Sequence, residues 1–210
     1  MFIDPAALEP AARYRLMISA IVPRPIAWVG TNDGTGDSTG DNLAPFSYFM
    51  GVSSDPPLLA ISVARASWPR GQERAGSPPL KHTARNILAT GFFSVSIPSQ
   101  SDLQAMHATS APWGGSEFEA VGIPRAAGVS VAAPRPAMAA FTFECRLHQA
   151  IDLGSTHLFV GLVVGMIAGD DVVVDGRVDL ARLAPVARLG GDDYGRVDLA
   201  CSIPRARAGG

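Results

Sequence analysis

The sequence predicts a mainly β fold: a mostly antiparallel barrel with helices at its rim. Three observations carry that prediction. Two long stretches, 137–150 and 157–167, are rich in β-branched and aromatic residues. Shorter strand-like runs at 26–31, 58–64 and 92–97 are bounded by Gly, Pro and Asp clusters. The regular strand, helix, strand alternation of a doubly wound parallel sheet is missing.

The elements follow in order. Residues 5–18 carry Leu8, Ala11, Ala12, Arg15 and Leu16 at helical spacing, with Asp4 as N-cap and Pro5 at the first helical position. The first strand, 26–31, turns through Gly34, Gly36 and Gly40 into the segment 42–48, which offers one amide and two hydroxyls beside apolar and aromatic surface. The strand at 58–64 holds a polar Ser62 among apolar neighbours, and a polar loop runs from Ser67 to Pro79. Residues 81–89 read as a short helix ended by Gly91, followed by the strand at 92–97. A helix over 99–108, opened by Ser99 and Asp102, leads into a connection through Trp113, Gly114 and Gly115. After the two long strands comes an acidic hairpin at 170–176, and 205–210 reads as a disordered tail. There is no internal repeat or linker, so residues 1–210 read as one domain.

Composition narrows the function. At 210 residues, with 47% hydrophobic and 17% charged residues, the chain can bury a full core without disulfide staples. A net charge of −2 gives no global attraction to nucleic acid or an anionic membrane. Cys145 and Cys201 form no metal-ligand or CxxC spacing, which fits free thiols in a reducing compartment. The acidic, Ala-rich start lacks a basic and apolar leader, and the run at 158–168 is too short to span a bilayer, so a cytoplasmic location is expected. Of 17 basic residues only Lys81 is lysine. A lysine kept against such a bias suits a task that needs a point charge, although a single leftover lysine is an equal reading.

Several motifs are set aside on context. Gly34, Gly36 and Gly40 lack the following helix of a dinucleotide loop. Asp33, Asp37 and Asp41 lack EF-hand spacing and read as a hairpin tip. The run 51–54 lacks the strand-to-helix setting of a nucleophile elbow. His82, His107, His148 and His157 are scattered and give no zinc motif, so no metal site is expected.

Four quoted segments remain: Pro23-Arg24-Pro25-Ile26-Ala27-Trp28-Val29-Gly30-Thr31, Asn42-Leu43-Ala44-Pro45-Phe46-Ser47-Tyr48, Lys81-His82-Thr83-Ala84-Arg85-Asn86 and Pro185-Val186-Ala187-Arg188-Leu189-Gly190-Gly191-Asp192-Asp193-Tyr194. Over about 16–194 the chain resembles the flavin reductase-like domain family, the flavoredoxin and nitrilotriacetate monooxygenase component B type. The resemblance implies an FMN-binding split β-barrel, antiparallel with Greek-key order, usually a homodimer with flavin close to the subunit interface. It implies flavin contacts at Asn42, Ala44, Pro45, Ser47, Tyr48 and Ser62, with Tyr194 near the flavin or the dimer seam. Without it, Ser47 and Ser62 read as ordinary strand hydroxyls.

Lys81, Thr83 and Asn86 occupy the start of a predicted helix, where free N–H groups and the dipole attract an anion. With Arg24, held between two prolines, they form a candidate phosphate clamp, and Pro25 beside it is counted with the cofactor-binding residues; a helix cap with solvated charges is the competing reading. Many family members carry Gly-Asp-His at the head of a late strand, the histidine near the incoming nicotinamide. Here Gly154-Ser155-Thr156-His157 keeps the histidine without the aspartate, so His157 is the candidate catalytic residue, or a structural histidine at a strand edge. Lys81-His82-Thr83 also departs from the family's Lys-Asp-Thr, and the loop from Asn32 to Asp41 is longer than usual.

The implied activity is an NAD(P)H-dependent flavin reductase using FMN, with FAD admitted, and supplying reduced flavin to a monooxygenase. The alternatives are an electron-transfer flavoprotein that serves a partner protein, or a non-redox binding module on the same barrel.

Overall fold

The computed structural model describes residues 1–67 and 78–204. Most of the predicted loop from Ser67 to Pro79 and all of the expected tail at 205–210 lie outside the described residues. The strands are β1 (Arg24–Pro25), β2 (Ala27–Thr31), β3 (Asn42–Phe46), β4 (Phe49–Ser54), β5 (Pro57–Ala64), β6 (Phe92–Ser96), β7 (Arg125–Ala126), β8 (Arg135–Pro136), β9 (Phe141–Asp152), β10 (Thr156–Ala168), β11 (Val173–Val174), β12 (Arg177–Val178), β13 (Val186–Arg188) and β14 (Tyr194–Arg196). The helices are α1 (Pro10–Ala20), α2 (His82–Thr90), α3 (Leu103–Ala108), α4 (Glu117–Val121) and α5 (Leu180–Leu183).

Seven strands form one antiparallel sheet in the order β3-β2-β6-β9-β10-β5-β4. Its edge strands β3 and β4 are joined by Ser47 and Tyr48 alone. Six strand spacings across a flat sheet would separate those edges by about 29 Å. A two-residue link reaches about 11 Å. The sheet therefore curls until its edges meet, without a ladder between them: it is the split antiparallel barrel that the sequence predicts.

Both faces of β2 are buried. Ala27 and Val29 face the barrel interior with Ile61, Val63, Phe93, Val95 and Phe159, where α2 adds Ala84 and Ile87. Trp28 faces outward against Leu43, Met106, Phe118 and Val186, its indole N–H donating to Thr109 Oγ1 at 3.0 Å. A small ribbon, β1-β13-β14, lies beside this outer cluster.

Boundaries differ from the sequence expectation where a local group intervenes. The helix expected over 5–18 begins at Pro10; Asp4 caps only the 3-10 turn Pro5–Ala7. Proline at 10 cannot donate inside a helix and holds Glu9 extended, so the two pieces cannot merge. The helix expected over 99–108 begins at Leu103, because Asp102 accepts from Ser99 N and Oγ while Gln100 N donates to Ala184 O. The strand expected over 137–150 begins at Phe141; Ala137 and Ala139 donate instead to Pro124 O and Pro136 O. Among the described residues no helix is long and apolar enough to cross a membrane.

Candidate functional site

Antiparallel register divides the segment 42–48 between two faces. Asn42, Ala44 and Phe46 oppose Thr31, Val29 and Ala27, so they share the interior face. Leu43 and Pro45 oppose Gly30 and Trp28 on the outer face. The flavin contacts expected from this segment thus do not form one continuous wall.

Outside, a cleft of about 360 Å³ gathers Arg24, Pro45, Ser47 and Tyr194 with Tyr14, His107 and Arg188. Arg24 is buried in its floor, 5% exposed. Its Nε donates to Ser47 Oγ at 3.3 Å, its Nη2 to Leu189 O at 2.9 Å, and its Nη1 to the carbonyls of Ile18 and Ile21. This guanidinium fastens the end of α1, the β3–β4 corner and the loop after β13 to one another. Of its five N–H donors only one is left for a ligand. Tyr194 follows on the same face of the β1-β13-β14 ribbon, its hydroxyl 3.0 Å from His107 Nδ1 and its ring under the Arg188 guanidinium at 4.5 Å. Pro25 lies beyond the cleft, facing a separate apolar groove with Phe49, Phe141 and Phe143.

Thr83 and Asn86 are not open to a ligand. Asn42 Nδ2 donates to Thr83 Oγ1 at 2.9 Å and Asn86 Nδ2 to Thr31 Oγ1 at 3.2 Å, tying α2 to the start of β3 and the end of β2 inside the protein. Lys81 is the exposed N-cap residue of α2, turned away from that buried pair. The proposed clamp therefore splits: Lys81 on the surface, Arg24 in the cleft, Thr83 and Asn86 as internal ties.

Ser62 and Tyr48 meet at the split, where Ser62 N donates to Tyr48 O at 2.9 Å and Ser62 Oγ pairs with Thr156 Oγ1 at 2.8 Å. His157 opposes Val63, so it faces the barrel interior, on the other side of the β5–β10 pair from Ser62. Its ring stacks on Phe159 at 5.8 Å, and its buried Nδ1 has no partner among the described residues. The carboxylate that the sequence lacks beside His157 comes from across the hairpin. Asp152 is its partner in the β9–β10 register, with Oδ2 3.8 Å from His157 Nε2 and 2.7 Å from Arg65 Nη2. The Gly154 N–H, and then Arg65, hold the Asp152 carboxyl below the usual carboxylate range.

Sequence reasoning missed Asp152, Arg188 and His107. Counting back across the tight turn at Leu153–Ser155 would have found Asp152, since a hairpin opposes residues at equal distance from its tip. Arg188 lay within a quoted motif and was given no role. No local signal marks His107, whose place follows from how α3 packs on β14.

The chain was compared with known proteins. A family model described as the flavin reductase like domain matches residues 18–179. An uncharacterized protein of Deinococcus radiodurans is 40% identical over 195 residues, 90% of this chain and 82% of that protein. Nitrilotriacetate monooxygenase component B from Bacillus cereus superposes with a TM-score of 0.85 at 29% identity, covering 97% of this chain and 99% of that one. A candidate flavin reductase with split barrel domain from Shewanella frigidimarina gives 0.80 at 26% identity, covering 98% and 100%.

Proposed function

Because the chain belongs to the flavin reductase-like domain family, we propose that it binds FMN and reduces it with NADH or NADPH, delivering reduced flavin to a separate monooxygenase. The observation that carries this reading is the family match over 18–179, a span that includes Arg24, Pro45 and Ser47 of the cleft.

The residues present suit such a ligand. The cleft has the size of a small-molecule site, with Pro45 and Ile26 as apolar surface and Ser47, Arg188, Asp192 and Tyr194 as polar groups. FMN supplies the electron-accepting ring; the protein supplies position and electrostatics. In this reading Ser47 and Tyr48 hold the ligand at the barrel's split, and Lys81, beside the first N–H groups of α2, meets an anionic end. We assign His157, whose Nε2 lies 3.8 Å from Asp152 and whose Nδ1 has no partner among the described residues, to the nicotinamide side, which requires the nicotinamide to approach from the barrel's interior face and not through the outer cleft. No strong side-chain acid or base is required, since approach geometry and exclusion of water provide much of the effect.

We also assign a homodimer. The apolar groove beside the cleft shares Ile26 with it, has a volume of about 500 Å³, and is lined by Phe49, Phe141 and Phe143. A second copy covering this surface would bring each flavin close to the interface.

The test is an anaerobic visible spectrum of the FMN-loaded protein, before and after NADH and then NADPH. Bleaching of bound-flavin bands by either donor supports the reading. Bound flavin that resists both points to electron exchange with a protein, and a protein that takes up no flavin overturns the proposal.

A further inference from the structure

Two arginines face each other across the β1–β13 ribbon. Arg24 and Arg188 are direct register partners, so their side chains leave the same face, and both line the same cleft. Like charges directly opposed across a strand pair repel, and the repulsion grows as burial removes water. Among the described residues the one carboxylate paired with either of them is Asp192, which lines the same cleft. The Arg24 guanidinium, 5% exposed, is held by carbonyls and a hydroxyl, with no carboxylate partner among the described residues. Arg188 has a carboxylate, Asp192, only at 3.7 Å, and that side chain is fully exposed to solvent.

The two arginines differ in what they have left to offer. Arg24 has nearly all its donors engaged in holding the fold. Arg188 is three-quarters buried and lies flat on Tyr194, yet makes one hydrogen bond among the described residues, from Nη2 to Gly191 O at 2.6 Å. Stacking on an aromatic face fixes a guanidinium while leaving its in-plane N–H groups free to donate. Ser47 Oγ accepts from Arg24, so its own proton is also free to donate into the cleft.

We propose that the opposed Arg24–Arg188 pair forms an oxyanion subsite for a phosphate ester, in which Arg188 and Ser47 make the direct contacts and Arg24 contributes its charge from below. Two guanidinium charges match the charge of a phosphate or pyrophosphate group better than a single carboxylate. The subsite is distinct from Lys81, which lies on α2. Two sources carry this chemistry: the 5′-phosphate of FMN and the pyrophosphate of the nicotinamide nucleotide. The choice between them rests on the flavin reductase reading; the subsite itself does not.

The full chain is titrated with inorganic pyrophosphate at low ionic strength, with binding followed by thermal shift in wild type, Arg188→Gln and Arg188→Lys. Wild type is expected to be stabilised by pyrophosphate, Arg188→Gln to bind at least about tenfold more weakly, and Arg188→Lys to fall between them, as loss of a charge-assisted contact demands. Equal affinity in all three overturns the subsite. Should the glutamine variant not fold, the Arg188 Nε–H NMR signal of wild type, assigned with the lysine variant, must still move on adding pyrophosphate; a stationary signal is equally fatal. FMN, riboflavin and NAD(P)H then separate the sources. Weaker FMN binding with unchanged riboflavin binding assigns the flavin phosphate. A raised KM for the nicotinamide nucleotide with FMN affinity intact assigns the pyrophosphate. A protein that binds pyrophosphate through Arg188 but neither FMN nor NAD(P)H would refute the flavin reading and leave this subsite standing.

Discussion

Replacing Arg24 by methionine tests whether this residue is first a fastening of the fold. Methionine preserves much of the buried apolar volume and removes every donor. The carbonyls of Ile18, Ile21 and Leu189, together with Ser47 Oγ, then lose their partner. Ile18 and Leu189 are half-buried and Ile21 is exposed, so water recovers part of the loss. Each carbonyl then costs near the low end for a broken bond, about 1 kcal/mol, and the three together about 3 kcal/mol. For a chain of this size that corresponds to a fall in Tm of about 10 °C. Urea unfolding followed by circular dichroism, without ligand, measures it, with an unchanged slope showing that the unfolded state is the same. Arg24→Lys should lose a similar amount, because one ammonium cannot reach acceptors on three chain segments. A methionine variant within about 1 kcal/mol of wild type, or a lysine variant that restores full stability, would refute the reasoning and return Arg24 to a role in binding alone.

Lys81→Ala is expected to weaken FMN binding by more than about 1 kcal/mol in a fluorescence titration; an unchanged dissociation constant removes Lys81 from the site. Asp152→Asn should slow flavin reduction by the nicotinamide about tenfold in stopped flow while FMN affinity holds, since His157 loses its steering partner; an unaltered rate makes Asp152 merely structural. Burial pushes the Glu117 carboxyl above its ordinary value of 4.5 against the pull of the Leu43 N–H. The folded state therefore loses stability as pH rises from that ordinary value through the raised one. Glu117→Gln does not titrate, so its stability relative to wild type should improve between pH 4 and pH 7 in denaturant melts, and a pH-independent difference would contradict the assignment. Gly30→Ala should cost about 2–3 kcal/mol in the same melts, because a Cβ there would overlap the Pro134 carbonyl oxygen and crowd Ser94 Oγ at 2.6 Å; a smaller loss means that the β8 turn yields.

The barrel was legible because its strands are written in the chain's own periodicity. Both faces of β2 are buried, and Ile26 to Val29 read as a continuous apolar run; the β9–β10 hairpin carries long β-branched and aromatic stretches around a glycine turn. Elements fixed by remote partners were not legible. Strand β4 presents mostly exposed residues and exists because β5 pairs with it, while β13 and β14 are three residues each and exist because the ribbon closes on β1. The site followed the same rule. Motif resemblance found Pro45, Ser47 and Tyr194, which the cleft unites, but could not show that Thr83 and Asn86 face inward, because a helix's buried side depends on what packs against it. Nor could it show that Arg24 would be claimed by three carbonyls from segments up to 165 residues away.

The split in the barrel leaves an edge that is closed to another strand. Strand β3 has a ladder on one side only, with β2. Its free side should recruit a further strand through unpaired backbone groups. Leu43 N, however, donates to the buried Glu117 carboxylate at 2.9 Å, and the next residue with the same outward direction is Pro45, which has no N–H. The edge thus has no free N–H donor before Ser47, and its first part is closed over, Leu43 being fully buried. A strand needs alternating donors and acceptors and cannot dock on such an edge. In the flavin reading proposed above, a planar heterocycle that brings its own N–H meets the Pro45 carbonyl instead, and Arg188 and Ser47, which line the same cleft, receive its anionic substituent.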